Sequence, residues 1–110
     1  DGSFVYLGFK PAWIMIRSTS NSRNWAFVDS TRSYANVANH TLAANRADGE
    51  SYYGNGESVF GALNKIDLLS NGFKPRENAT WANGSGETYI YAAFAETPTN
   101  NLFGGQANAR

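Results

Sequence analysis

The stretch Thr88-Tyr89-Ile90-Tyr91-Ala92-Ala93-Phe94-Ala95 is the longest candidate strand in the chain and decides its fold class. Successive side chains of a β-strand point to opposite faces, so its residues divide into two alternating sets. Both sets are largely apolar here. We therefore predict a strand in the middle of a β-sandwich, covered on both faces, with Phe94 in the core.

A second apolar run, Ala12–Ile16, is short and follows Pro11, which is typical of a buried strand rather than a helix. Trp25–Asp29 comes after a polar connection and is its predicted hairpin partner. Four side chains of these two strands are predicted to pack in the core, namely Trp13, Ile14, Trp25 and Phe27.

Further strands are predicted over Phe4–Leu7, Lys65–Leu69 and Phe73–Arg76. No long segment has the 3.6-residue apolar period of an amphipathic helix, and the best helical candidate, Val37–Ala44, amounts to a single turn. The length of 110 residues suits one domain with one core. We therefore predict an all-β fold, an antiparallel β-sandwich, over residues 1–99, with a C-terminal tail or docking segment over residues 100–110.

Composition and charge argue against several classes of partner. Nine basic and nine acidic side chains cancel, whereas a nucleic-acid-binding protein concentrates Lys and Arg against the phosphates, so we expect no nucleic-acid partner. No apolar run approaches the roughly 18 residues that span a bilayer, so we expect no membrane insertion. Because the chain starts at Asp1 rather than Met, we expect a piece of a longer polypeptide or a matured product.

The common catalytic and cofactor motifs are missing from the sequence. It has a single histidine, His40, and no cysteine, which are too few ligands for zinc. It also lacks a Gly-x-Ser-x-Gly nucleophile motif and a Gly-Lys-Ser/Thr phosphate loop. We expect no enzyme, no cofactor and no metal. A pair of carboxylates assembled across loops, as glycoside hydrolases use, is the alternative that the sequence leaves open.

Two long polar connections, Ser30–Ser58 and Glu77–Glu87, contain aromatic side chains. The apolar face of a sugar ring stacks on Trp or Tyr, and sugar hydroxyls bond to Asn and Arg side chains. The alternative is that the aromatic side chains fold back and cap the edge of the sandwich. The candidate ligand-binding residues in these connections are Tyr34, His40, Arg46, Tyr52, Tyr53, Trp81 and Asn83.

Four blocks of the sequence resemble a family of uncharacterised domains in bacteriophage tail fibres and other virion-associated proteins. They occur in the family's order, and the last block is the most specific. The blocks are Gly8–Arg17, Asn24–Arg32, Ile66–Lys74 and Gly86–Glu96. Only Asp1–Leu7 precedes the first block, where family members usually have more β-structure.

The resemblance implies a concanavalin-like or jelly-roll β-sandwich near the C-terminus of a fibre or tail protein. Such proteins are commonly trimers that attach the particle to its host, and the family has no established catalytic residues. The expected location is therefore the exterior of the virion. The leading hypothesis is a receptor-binding module whose partners are a host cell-surface glycan and other virion chains, as a homotrimer. The alternative is a structural virion domain that trimerises a fibre or decorates a capsid or tail.

Overall fold

The computed structural model describes residues 2–32, 38–47, 49–50, 66–77 and 80–96. The backbone in these ranges forms strands and turns and contains no helix. In chain order the strands are β1 (Val5–Tyr6), β2 (Pro11–Ser18), β3 (Ala26–Asp29), β4 (Leu42–Ala43), β5 (Ile66–Leu69), β6 (Gly72–Pro75) and β7 (Tyr89–Ala95).

The strands form two antiparallel sheets, one with the order β1-β6-β5 and one with the order β4-β3-β2-β7. β2 and β3 are consecutive and paired, as are β5 and β6, whereas β7 returns from the far end of the sequence to pair with β2. Ala38 adds an isolated antiparallel bridge to Ile66 at the start of β5. The all-β class and the single antiparallel sandwich predicted from the sequence are therefore confirmed.

One hydrophobic core lies between the two sheets. Alternate residues of β2 and β3 face those of β5 and β6, and the loop before β7 adds an indole ring. Phe73 and Ile14 have no exposed surface, and burying a side chain of that size stabilises the fold by about 1.5–3 kcal/mol. The buried apolar residues are Ile14, Ile16, Ala26, Val28, Ala38, Ile66, Leu68, Phe73, Trp81 and Ala82.

β1 and β6 approach each other closely at Gly72, which pairs with Tyr6. A Cβ atom at Gly72 would lie 2.0 Å from the backbone oxygen of Val5. No side chain fits at that distance, so this strand pairing requires glycine at position 72.

The position of β7 corrects the prediction of a central strand covered on both faces. Among the strands that the structure describes, β7 ends the four-stranded sheet and pairs with β2 alone. Its Ile90 and Tyr91 side chains are exposed, and Phe94, predicted to lie in the core, is 56% exposed. The prediction was wrong because an apolar strand face is buried only where another layer covers it.

The core prediction holds for Ile14 and fails for the aromatic residues beside it. Trp13, Trp25 and Phe27 are half-buried and are not members of the core cluster. Trp13 and Phe27 alternate along their strands with core residues, so their side chains point to the opposite face of the sheet. Trp25 immediately precedes β3.

The helical turn predicted over Val37–Ala44 is absent from residues 38–44, while Val37 lies outside the described residues. Leu42–Ala43 instead forms β4 and pairs with β3. Strand pairing satisfies backbone groups that a single helical turn leaves open, and Asn, His and Thr are weak helix formers.

Within the described ranges there is no helix of the length and apolarity needed to cross a membrane.

Candidate binding face on the four-stranded sheet

The four-stranded sheet has an outer face, directed away from the core, whose first row of side chains is Asp29, Trp13 and Phe94. Trp13 on β2 pairs with Asp29 on β3 and with Phe94 on β7. Directly opposed residues of an antiparallel pair point to the same side. Because the neighbouring Ile14 points into the core, this row points outward.

Two more rows extend the outer face along the strands. Phe27, Met15 and Ala92 form the middle row, and Leu42 continues it on β4. In the last row Arg17 pairs with Ile90, and its guanidinium lies over the ring of Trp25, 5.4 Å from the centroid.

The aromatic rings of three strands meet on this face around Trp13. Its ring centroid lies 5.0 Å from that of Phe27 and 5.2 Å from that of Phe94, both tilted by 48°. Such ring pairs contribute about 0.5–1.5 kcal/mol each beyond the burial of their area. Since Phe94 and Ile90, at 56% and 48%, keep about half of their surface exposed, the cluster presents aromatic and apolar groups to its surroundings.

The outer side of the three-stranded sheet carries an ion pair, unlike the rows around Trp13. One of its outward-facing pairs on β5 and β6 is Asp67 and Lys74, and the Arg76 Nε lies 3.2 Å from the Asp67 carboxylate. The same sheet also has an exposed aromatic side chain, Tyr6. Antiparallel sheets of a sandwich usually carry polar residues on the solvent side. A large apolar area left on one outer face is typical of a surface that binds something.

A network of charged groups adjoins the aromatic rows at Asp29. The Asp29 carboxylate accepts hydrogen bonds from the backbone N–H of Arg32 at 2.8 Å and of Thr31 at 3.0 Å, and from the Arg32 guanidinium. The same guanidinium reaches the Glu50 carboxylate at 3.1 Å, whose other oxygen contacts His40 Nδ1. The network thus joins Asp29 and Arg32 to His40 and Glu50, which come from later parts of the sequence, beside the Trp13 row.

These contacts keep both carboxylates ionised. Partial burial disfavours the charged form of Asp29, but hydrogen bonds from the Arg32 backbone and guanidinium outweigh it and hold the pKa below its ordinary value of 3.8. Burial of Glu50 is likewise outweighed by hydrogen bonds from His40 and Arg32, so its pKa lies below 4.5. The edge of the outer face therefore carries fixed charges at neutral pH.

The predicted site residues of the first connection divide into two groups. Tyr34, Tyr52 and Tyr53 lie outside the described residues. His40 is half-buried and belongs to the charged network through Glu50, which brings it close to Asp29 and hence to the outer face. Arg46 is exposed in the turn that follows β4.

The two candidates of the second connection, Trp81 and Asn83, contact other parts of the domain. Trp81, expected to be exposed for ligand stacking, is only 4% exposed and belongs to the core, which agrees with the alternative of an aromatic side chain folded back against the sandwich. A loop aromatic can bury its area when the loop folds over the open end of a sandwich. Asn83 donates a hydrogen bond from Nδ2 to the backbone carbonyl oxygen of Glu77 at 2.8 Å and thereby closes this loop.

Hydrogen bonds at the start of β7 also hold the second connection in place. The Tyr89 hydroxyl accepts a hydrogen bond from the Gly84 N–H at 2.6 Å and donates one to the Thr80 backbone carbonyl at 2.7 Å. Burial is the main reason why the pKa of the Tyr89 hydroxyl lies above its ordinary value. Arg23 pairs with Glu87 at 3.0 Å. This loop is thus fixed against the sandwich.

Sequence reasoning missed Trp13, Arg17 and Phe94 as candidate binding residues. The signal for them was present in the alternation of β2 and β7, whose two faces are both apolar. A strand of this kind belongs either to a covered sheet or to a sheet with an apolar binding surface.

The outer face can stack flat apolar groups on its rings and bond polar groups at its two charged ends. In the described ranges, no group of three or more His, Asp or Glu side chains is placed to hold a metal ion. The rings of Trp13, Phe27 and Phe94 offer aromatic contact, and the side chains of Asp29 and Arg17 offer hydrogen-bonding groups.

The two sheets and the aromatic outer face define a β-sandwich domain with a candidate binding surface. By comparison with protein families, residues 1–98 match the model of a domain of unknown function, DUF7483, and the chain belongs to this family. Neither the curated proteins nor the solved structures contain a match to the chain.

Proposed function

We propose that this chain is a non-catalytic receptor-binding module of a virion, which attaches a phage tail fibre to a glycan on the host surface through its outer face. The observation that carries the proposal is the ring cluster on that face, in which the half-buried Trp13 and Phe27 contact each other and Trp13 contacts the exposed Phe94. The proposed glycan site does not include Trp81, the aromatic residue of the described loops that was predicted to bind ligand.

A glycan suits this surface because a sugar ring has an apolar C–H face and a polar rim. The rings around Trp13 offer the flat apolar contact that the C–H face needs. Asp29 and Arg32, beside the same row, offer a hydrogen-bond acceptor and donors for sugar hydroxyls. This combination of few polar groups around an aromatic surface is common in ligand sites.

The virion setting rests on the sequence resemblance of blocks such as Gly86–Glu96 to tail-fibre domains. From the same resemblance we propose a homotrimer on the exterior of the particle. The equal numbers of basic and acidic residues argue against nucleic acid, whose closely spaced phosphates require a concentration of Lys and Arg.

A printed panel of bacterial surface polysaccharides tests the glycan proposal. We expect the chain to bind a subset of them, and Phe94→Ala to weaken that binding by roughly 3- to 10-fold, the equivalent of one lost ring contact. Tyr6→Ala is the matched control, because Tyr6 is an exposed aromatic of the other sheet. Absence of binding across the panel, or equal losses in both variants, would contradict the proposal. We also expect no release of reducing ends from any bound polysaccharide.

A structural virion domain is the second candidate, favoured by the exposure of Ile90 and Phe94 on a sheet face. Exposed apolar patches mark protein interfaces as well as ligand sites. In that case the outer face lies against another virion chain. Sedimentation at increasing concentration distinguishes the two: a trimer that Phe94→Ala dissociates and that binds no polysaccharide supports the structural role.

A further inference from the structure

Arg17 is a cation near the C-terminal end of β2, on a face that is otherwise largely apolar. Its backbone pairs with Ile90, and its guanidinium lies over the Trp25 ring at 5.4 Å. A cation–π contact of this kind holds the guanidinium near the ring and leaves its N–H groups as hydrogen-bond donors. Trp25 therefore places the Arg17 guanidinium without an ion pair to a carboxylate of the described residues.

Three other arginines form ion pairs of a kind that Arg17 lacks among the described residues. Arg23, Arg32 and Arg76 each lie within 3.2 Å of a carboxylate oxygen. Among the described residues, Arg17 has no carboxylate within 4.0 Å. The acid of the same face, Asp29, is bonded to Arg32.

We infer that the glycan bound by the outer face is anionic, and that Arg17 binds its carboxylate or phosphate group while the rings around Trp13 stack on its sugars. This inference rests on the proposed function and names the class of glycan. A guanidinium suits both anions because its parallel N–H groups form two hydrogen bonds to either of them.

The spacing along β2 sets the size of the ligand. Arg17 lies four residues beyond Trp13, which corresponds to about 13 Å along a strand. A ligand that covers the ring cluster and also reaches the guanidinium has to follow the strand over much of that length. This favours an extended oligosaccharide or polysaccharide of several units over a single sugar.

The experiment compares three groups of immobilised bacterial polysaccharides, whose repeating units carry a carboxylate, a phosphate or no charge. We expect binding to one or both charged groups and little to the neutral group. Arg17→Gln is expected to raise the Kd for the charged polymer by roughly 10- to 100-fold, the effect of losing a charged hydrogen-bonded contact. Arg76→Gln is the matched control, since it removes the same charge from the other sheet.

A second measurement tests the same inference on the unaltered protein. Where a carboxylated polymer binds, its carboxyl-reduced form keeps the sugar rings and loses the charge. We expect the wild-type chain to bind the reduced form as weakly as Arg17→Gln binds the native form, and Arg17→Gln to bind both alike.

The outcomes separate this inference from the function on which it rests. Equal binding of neutral and charged polymers, unchanged binding by Arg17→Gln, or equal losses in Arg17→Gln and Arg76→Gln would overturn the anionic ligand and leave the glycan proposal in place. Binding to none of the three groups would overturn both.

Discussion

The rings of Trp13 and Phe94 lie 5.2 Å apart on the outer face of the four-stranded sheet, and they join β2 to β7 on the side away from the core. On the inner side Tyr91 makes an edge contact with Phe73 at 5.3 Å. β7 is thus held by aromatic contacts on both faces although several of its side chains are exposed. The outer contact leaves ring surface available to a ligand.

Replacing Phe94 with Leu keeps an apolar side chain and removes the ring. Because one ring pair is lost, we expect the free energy of unfolding to fall by about 0.5–1.5 kcal/mol. Urea denaturation measures it. Tyr6→Leu, at a side chain that is 70% exposed on the other sheet, is expected to change it by less than about 0.5 kcal/mol. Equal effects in the two variants would contradict the ring contact.

Replacing Trp81 with Ala tests whether this side chain is structural. Since Trp81 lies in the core, the variant is expected to lose about 3–5 kcal/mol of unfolding free energy. Trp81→Phe should lose less. The binding constant of the folded fraction for polysaccharide should stay unchanged. A Trp81→Ala protein with wild-type stability and lost binding would show that Trp81 is a ligand residue after all.

Gly72→Ala tests the close approach of β1 and β6. The added methyl group would overlap the Val5 backbone oxygen, so we expect a loss of about 1–3 kcal/mol, typical of overpacking. Gly49→Ala is the control, because a Cβ there meets no atom within 4 Å. Thermal unfolding of the two variants should differ clearly. Similar midpoints would mean that β1 does not pair with β6 as described.

The charged network predicts a loss of stability in acid. The folded-state pKa values of Asp29 and Glu50 lie below the ordinary values of 3.8 and 4.5, so their ionised forms stabilise the fold above those values. That contribution is lost as the pH falls through the folded-state pKa values, because the unfolded chain binds more protons there. Denaturant unfolding between pH 7 and pH 3 should show this decline. Asp29→Asn and Glu50→Gln should each flatten it, and an unchanged pH dependence in both would contradict the network.

The sequence was sufficient to predict where the main strands lie. The short apolar run around Ile14 and the long run ending at Ala95 have strand periods and strand lengths, and both are strands in the structure. The pairing of β2 with β3 followed from their closeness in sequence. These features depend on local pattern, which a single sequence contains.

The side of the sheet that faces the core could not be predicted in the same way. Ile14 and Trp13 are both apolar, and their alternation says only that they point in opposite directions. The position of the second sheet decides between them, and that depends on pairings between distant segments. The same holds for Trp81, whose burial requires a loop to fold over the core, and for the contact of His40 with Glu50.

The spectrum of the three tryptophan indoles tests the binding face most directly. In a ¹H–¹⁵N correlation spectrum, each indole N–H gives its own signal, and Trp81 serves as an internal control because it is buried in the core. On titration with an anionic oligosaccharide that the chain binds, we expect the signals of Trp13 and Trp25 to shift and that of Trp81 to stay in place. A shift of Trp81 with Trp13 and Trp25 unchanged would contradict a binding site on the outer face.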